Sequence, residues 1–208
     1  MKNKKLLILV LMSVMATSAI FAQNTKAKTY EIGDIGPGGG IVFCKFPEIF
    51  EMPQPDGSTK RVQYLEVSQE DLGRVPWCGC SFRSSCNIQD TTGLGIINTF
   101  TIINIHGNNS NYAALLCSQY KTDTTKAGDW WLPSMSELYQ IYYNLRNKIL
   151  ANTSCPINNP LLYWSSTQNF ITPPNNSISN IPALDFGTGK TNFCGKSITL
   201  SVRAVRAF

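Results

Sequence analysis

A chain of 208 residues with 43% hydrophobic and 15% charged residues is too apolar for a disordered segment and long enough to bury a core. Its formal charge is +5, but Lys2, Lys4 and Lys5 belong to an N-terminal segment whose removal lowers that to +2. So small an excess excludes the argument from charge for nucleic acid or a strongly anionic partner.

The opening MKNKKLLILVLMSVMATSAIFAQ has a basic start, a short apolar run and small residues before Gln23. This pattern predicts an export signal peptide over residues 1–22, with a flexible lead-in at 23–29. The apolar run is too short to span a bilayer comfortably. The rest, 30–208, suits one domain. Seven cysteines in an exported chain point to disulfides, and the odd number leaves one thiol free or paired between molecules.

YEIGDIGPGGGIVFCKF is a glycine-rich turn feeding a β run at 41–46. Residues 47–61, rich in proline and charge, read as a surface loop, and 62–67 alternates as a second strand. Residues 71–95 hold Cys78, Cys80 and Cys86 and look irregular. The β-branched stretch 96–105 fits a strand or a helix equally. Over 111–120, Ala113, Leu116, Cys117 and Tyr120 share a helical face.

GDWWLPSMSEL at 128–138 starts a further helix. Ser134 can cap it and Glu137 can return the bond, while Leu138, Ile141, Tyr142, Leu145 and Ile149 mark a buried stripe. A strand at 163–166 precedes a long asparagine- and proline-rich loop at 168–182. Short strands follow at 183–186, 191–194 and 200–208. A chain ending in a strand needs a partner, and GGGIVF is a natural one. The order gives an α+β domain with a looped-out insertion.

"YEIGDIGPGGGIVF", "YLEVSQEDLG", "GDWWLPSMSELYQIYYNL", "YWSST" and "VRAVRAF" resemble, in that order, the Lcl C-terminal domain family, bacterial exported domains found at the end of collagen-like adhesins. The likeness covers nearly all of 30–208. It implies a C-type-lectin-like fold close to the formylglycine-generating-enzyme type: two helices, a small mostly antiparallel sheet, long loops, and N- and C-terminal strands paired. For some members it implies adhesion to sulfated polysaccharide. The cysteine-rich WCGCSFRSSC at 77–86 and the long 168–182 loop depart from the family pattern.

Motifs that invite catalysis have plainer readings. GTGKT at 187–191 has Leu184 where a phosphate loop needs glycine, and no helix follows. GPGGG at 36–40 feeds a strand, so it is a turn or a close backbone approach. Gln54–Pro55–Asp56 matches a lectin sugar triplet but lies far from the long loop and reads as a turn. A calcium site would need about six oxygen ligands, and the loop region offers Asp185 alone, so no metal or cofactor is expected. His106, the single histidine, sits in an apparent surface turn. Cys78, Cys80 and Cys86 are candidates for a structural disulfide. Of Trp130, Trp131 and Trp164, at least two read as core and one as exposed.

The expectation is a non-enzymatic, exported recognition or adhesion domain whose partner is a polysaccharide or a cell-surface protein. No nucleic acid is expected, nor a transmembrane segment once the signal peptide is cleaved. Its candidate ligand residues are Asn169, Asn175, Asn176, Asp185, Lys190 and Asn192. The alternatives are a cysteine-based oxidase-like enzyme of the formylglycine-generating type, or a variable ligand-binding protein of a diversity-generating system.

Overall fold

A computed structural model describes residues 28–78, 90–151, 161–168 and 180–208. The expected signal peptide therefore lies outside the described residues. These residues form an α+β fold with two sheets and three helices.

Strands β1 (Ile41–Pro53) and β2 (Thr59–Val67) make an antiparallel hairpin. The loop expected over 47–61 shrinks to the turn at 54–58, where the Asp56 carboxylate accepts from the Ser58 amide and hydroxyl. Pro47 cannot donate to a ladder, and β1 bulges around it: the register jumps from Lys45 opposite Tyr64 to Phe50 opposite Val62. Phe46 and Phe50 stack at 4.8 Å across the bulge. Sequence periodicity misses the strand because the bulge interrupts it.

Next come β3 (Arg74–Val75), α1 (Gly95–His106), α2 (Ala113–Gln119) and α3 (Met135–Ala151). The ambiguous stretch is helix α1, with Gly95, Ile96, Asn98, Thr99 and Ile102 buried. Thr99 and Thr101 return their hydroxyl protons to the carbonyls four residues back, which lets β-branched polar residues sit in a helix. A third helix thus joins the two expected.

Then follow β4 (Leu162–Trp164), β5 (Asn180–Asp185), β6 (Thr191–Gly195), β7 (Leu200–Ser201) and β8 (Val205–Ala207). The first sheet has the order β1-β2-β8 and the second β3-β7-β4-β5-β6, antiparallel except between β4 and β7. Two expectations need correction here. The small sheet is two sheets. The C-terminal strand pairs with β2, Leu65 opposite Ala207, and not with the GGGIVF strand, which takes the other edge of β2. The start of the described domain still meets its C-terminus, since the Tyr30 and Phe208 rings lie 5.1 Å apart. The expected single strand over 200–208 breaks because Arg203 is drawn inward, 2% exposed, so the chain leaves one sheet at Ser201 and joins the other at Val205.

The buried side chains fall into two clusters, and β4 and β5 of the second sheet contribute to both. One gathers Ile41, Phe43, Leu65, Leu138, Ile141 and Leu145; the other Trp77, Ile102, Tyr112, Trp164, Ile181 and Val202. The tryptophan pair straddles the seam. Neighbouring residues in extended chain point to opposite sides, so Trp131 enters the first core and Trp130 the second. Backbone bonds of 2.9 Å in both directions join Trp131 to Val205. All four tryptophans are buried, so none is the exposed one expected.

Gly40 has to be glycine because a Cβ there would lie 2.6 Å from the Val67 carbonyl and 3.0 Å from the Trp130 ring. Gly40→Ala is expected to cost about 1–3 kcal/mol, the range for overpacking a filled core, read from a urea unfolding curve.

Candidate functional site

The charged and hydroxyl groups that sequence alone would offer for chemistry are spent on the scaffold. Glu66 is fully buried in the turn of GPGGG. Its oxygens accept from the Gly38 and Gly40 amides at 3.0 Å and from the Arg206 guanidinium. The anion position of this glycine loop is therefore filled by the protein's own carboxylate, and a Cβ at Gly36 or Gly38 would collide with it. Glu137 accepts from the Ser134 and Gly93 amides, both at 2.8 Å, and from the Trp131 indole at 3.2 Å. The Glu137 amide bonds back to the Ser134 hydroxyl at 3.2 Å, completing the predicted capping box. Thr167 and Asp90 take the Met135 and Ser136 amides, so the α3 N-terminus is closed.

YWSST is a structural hub. The Trp77 indole donates to the Ser165 carbonyl at 2.8 Å, the Trp164 indole to the Val75 carbonyl at 2.9 Å, and the Ser165 hydroxyl to the Pro182 carbonyl at 2.6 Å. Tyr163 donates to Asp71, which also pairs with Arg203 at 2.7 Å. Burial raises the Tyr163 phenol above its usual range.

Burial works against thiolate formation at three of the described cysteines. Burial, with Glu137 adding to it, pushes Cys44 up to about 12. Burial also raises Cys117 and Cys194. These three thiols are unpaired, against the disulfides expected from the cysteine count: Cys44 and Cys117 are sealed in separate cores. Cys78 is buried beside Trp77. Cys80 and Cys86, its candidate partners, lie outside the described residues. His106 is not in a surface turn but ends α1 half-buried, its ring edge-on to Trp77 and Tyr112 at 6.1 Å each. Desolvation, then the Lys196 charge, lowers its pKa. No three His, Cys, Asp or Glu side chains among the described residues are grouped where they could hold one metal.

Of the six candidate ligand residues, Asn169, Asn175 and Asn176 lie outside the described residues. The other three sit on the β5–β6 hairpin, whose turn is the GTGKT segment. Asp185 is a correction. It is 8% exposed and folds inward, taking the Gly187 amide and the Thr188 hydroxyl at 2.8 Å each. A short aspartate side chain bonded to a backbone amide two residues on is a turn device. Lys190 and Asn192 are exposed together past that turn, and the Asn192 amide donates to the Lys190 carbonyl at 3.3 Å.

Helix α3 braces this hairpin. The Tyr139 hydroxyl lies 2.6 Å from that of Thr191. Arg146 donates to the Phe186 and Gly187 carbonyls at 3.0 and 2.7 Å. Tyr142 packs edge-on to Phe186 at 5.7 Å and under Gly189. Beside them Tyr143 stands 75% exposed. A groove of about 450 Å³ opens next to it, walled by Ile32 and Gly33 on one side and by α3 residues 142–148 on the other. The sequence reading missed Tyr143 and the groove. The helical phase does carry the signal, because Tyr143 and Asn147 fall opposite the Leu138–Ile141–Leu145 stripe.

No family model matches the chain, and no curated protein matches it either. No described helix is long and apolar enough to cross a membrane.

Proposed function

We propose that this chain is an exported, non-enzymatic recognition domain of the Lcl C-terminal type, built on a C-type-lectin-like scaffold and binding a cell-surface glycan. The observation that carries the reading is the bracing of the β5–β6 hairpin. Two α3 side chains, Tyr139 and Arg146, bond it through three hydrogen bonds, so Lys190 and Asn192 are presented from a rigid base. A fixed base lowers the ordering cost of binding. Amide and ammonium groups are suitable donors for sugar hydroxyls, and the amide also accepts. Supporting the family assignment, its most specific pieces have structural work in this fold: WLPS begins the capping box, and the closing Arg–Ala–Val–Arg links the two sheets.

The test is a glycan array probed with the purified protein, with and without calcium, at low and high salt. Binding that is calcium-independent and weakened about tenfold, about 1.4 kcal/mol, in the Lys190→Ala/Asn192→Ala double variant is the expected result. A protein that binds no glycan under any of these conditions does not have this function.

A further inference from the structure

We infer that the groove beside Tyr143 is a subsite for an uncharged pyranose ring of a glycan, stacked on the Tyr143 face and hydrogen-bonded by the Asn144 and Asn147 amides. This rests on the recognition reading and adds a second contact surface, on α3, to the hairpin.

Among the described residues Tyr143 is the most exposed of the large hydrophobic side chains, whereas all four tryptophans are buried. Its ring is nonetheless held. Tyr142 meets it edge-on at 5.4 Å, and Tyr139 lies nearly parallel to it at 6.1 Å and 18°. One helical turn of about 5.4 Å separates Tyr139 from Tyr143, close to the span of one sugar ring. A phenol ring offers an apolar face to the C–H face of a sugar while its hydroxyl stays wet.

The rim supplies polar partners. Asn144 and Asn147 are exposed on the same helix. Asn144 donates to the Phe43 carbonyl at 2.9 Å, which fixes that amide and leaves its oxygen to accept from a hydroxyl. The opposite wall is pinned, because the Lys148 ammonium donates to the Gly33 carbonyl at 2.6 Å. A groove of about 450 Å³ falls within the range of small-ligand sites.

The contacts offered by the Tyr143 face and the two amides require no charge on the ligand. Arg146 and Lys148 are the two cations of the lining, and carbonyl oxygens hold both. An uncharged ring leaves those bonds intact. The surface is also continuous with the hairpin, since Tyr139 touches both Tyr143 and Thr191.

The experiment is a proton NMR titration of the purified protein with neutral cello-, malto-, chito- and manno-oligosaccharides, at low and high salt. For at least one series, upfield ring-current shifts of the sugar C–H protons are expected, unchanged by salt. They should vanish in Tyr143→Ala with affinity down about tenfold, and persist in Tyr143→Phe, which keeps the ring. Thermal melts of both variants should match the wild type, because the ring is exposed. Neutral-sugar binding that survives Tyr143→Ala overturns the subsite and leaves the recognition reading standing. Binding confined to acidic glycans and lost in high salt likewise overturns only the subsite. Failure to bind any glycan overturns both.

Discussion

Glu137→Ala is expected to destabilise the protein by at least about 4 kcal/mol, since each buried donor left unpaired costs about 1–3 kcal/mol. The carboxylate is fully buried and collects the Ser134 and Gly93 amides and the Trp131 indole. The Gly95 amide is a fourth donor. One side chain thus closes the first turn of α3, holds the start of α1 and orients the tryptophan at the seam. Against a total stability of about 5–15 kcal/mol, its loss brings the chain close to unfolding. Glu137→Gln keeps the shape and one carbonyl oxygen, so it is expected to fold with a loss of about 1–3 kcal/mol at pH 5. Urea denaturation of the two variants gives the comparison, and equal stability of Glu137→Ala and wild type would show that these bonds carry no net weight.

Desolvation raises the Glu137 carboxyl from 4.5 to about 7, outweighing the hydrogen bonds that favour its charged form. The sign is the reverse of the usual one for a carboxylate. Below about pH 4.5 the group is protonated whether folded or unfolded, and the contribution is fully present. Between 4.5 and 7 the unfolded chain ionises first, so stability falls as pH rises, by about 3 kcal/mol in total. Cys44 is the neighbouring titratable group and stays a thiol in this window. Stability curves from pH 4 to 8 should show this fall in the wild type and a flatter profile in Glu137→Gln, with the gap between them narrowing at high pH.

The α3 helix was legible because its signals are local: a cap, its partner three residues on, and a stripe of apolar residues at helical spacing. The β5–β6 hairpin was legible for the same reason. The rest depends on partners distant in sequence. GPGGG reads as a turn, but nothing local says that Glu66, 26 residues past Gly40, fills it. Asp185 looked available because a lone aspartate beside glycines suits a ligand site and an inward turn equally well. The ambiguous α1 stretch was settled by tertiary packing, with Thr99 accepting the Leu132 amide at 2.9 Å. The two tryptophans gave away an ordered core but not that they serve two different ones. Exposed Tyr143 passed unseen among residues read for the buried face alone.

Separating Glu66 from Arg206 is the second large effect expected. The glutamate is wholly buried and the arginine side chain is 16% exposed. They sit opposite each other where β8 joins β2. Arg206→Met removes the cation and leaves a buried carboxylate with only the Gly38 and Gly40 amides, at an expected cost of about 3–5 kcal/mol. Glu66→Gln leaves the arginine partly solvated and should cost less. The double variant removes both charges, so its loss should fall short of the sum of the singles, with a coupling of about 1–3 kcal/mol. Additive losses would show that the two charges act independently. The same pair also holds the GPGGG loop closed, so hydrogen exchange at Gly38 and Gly40 should accelerate more in Glu66→Gln than in Arg206→Met. A reversed order would place the loop's anchor on the arginine instead of the carboxylate. That distinction matters for the fold, because the final strand reaches the first sheet only through β2, and Glu66 joins that strand and the glycine loop from a single buried position.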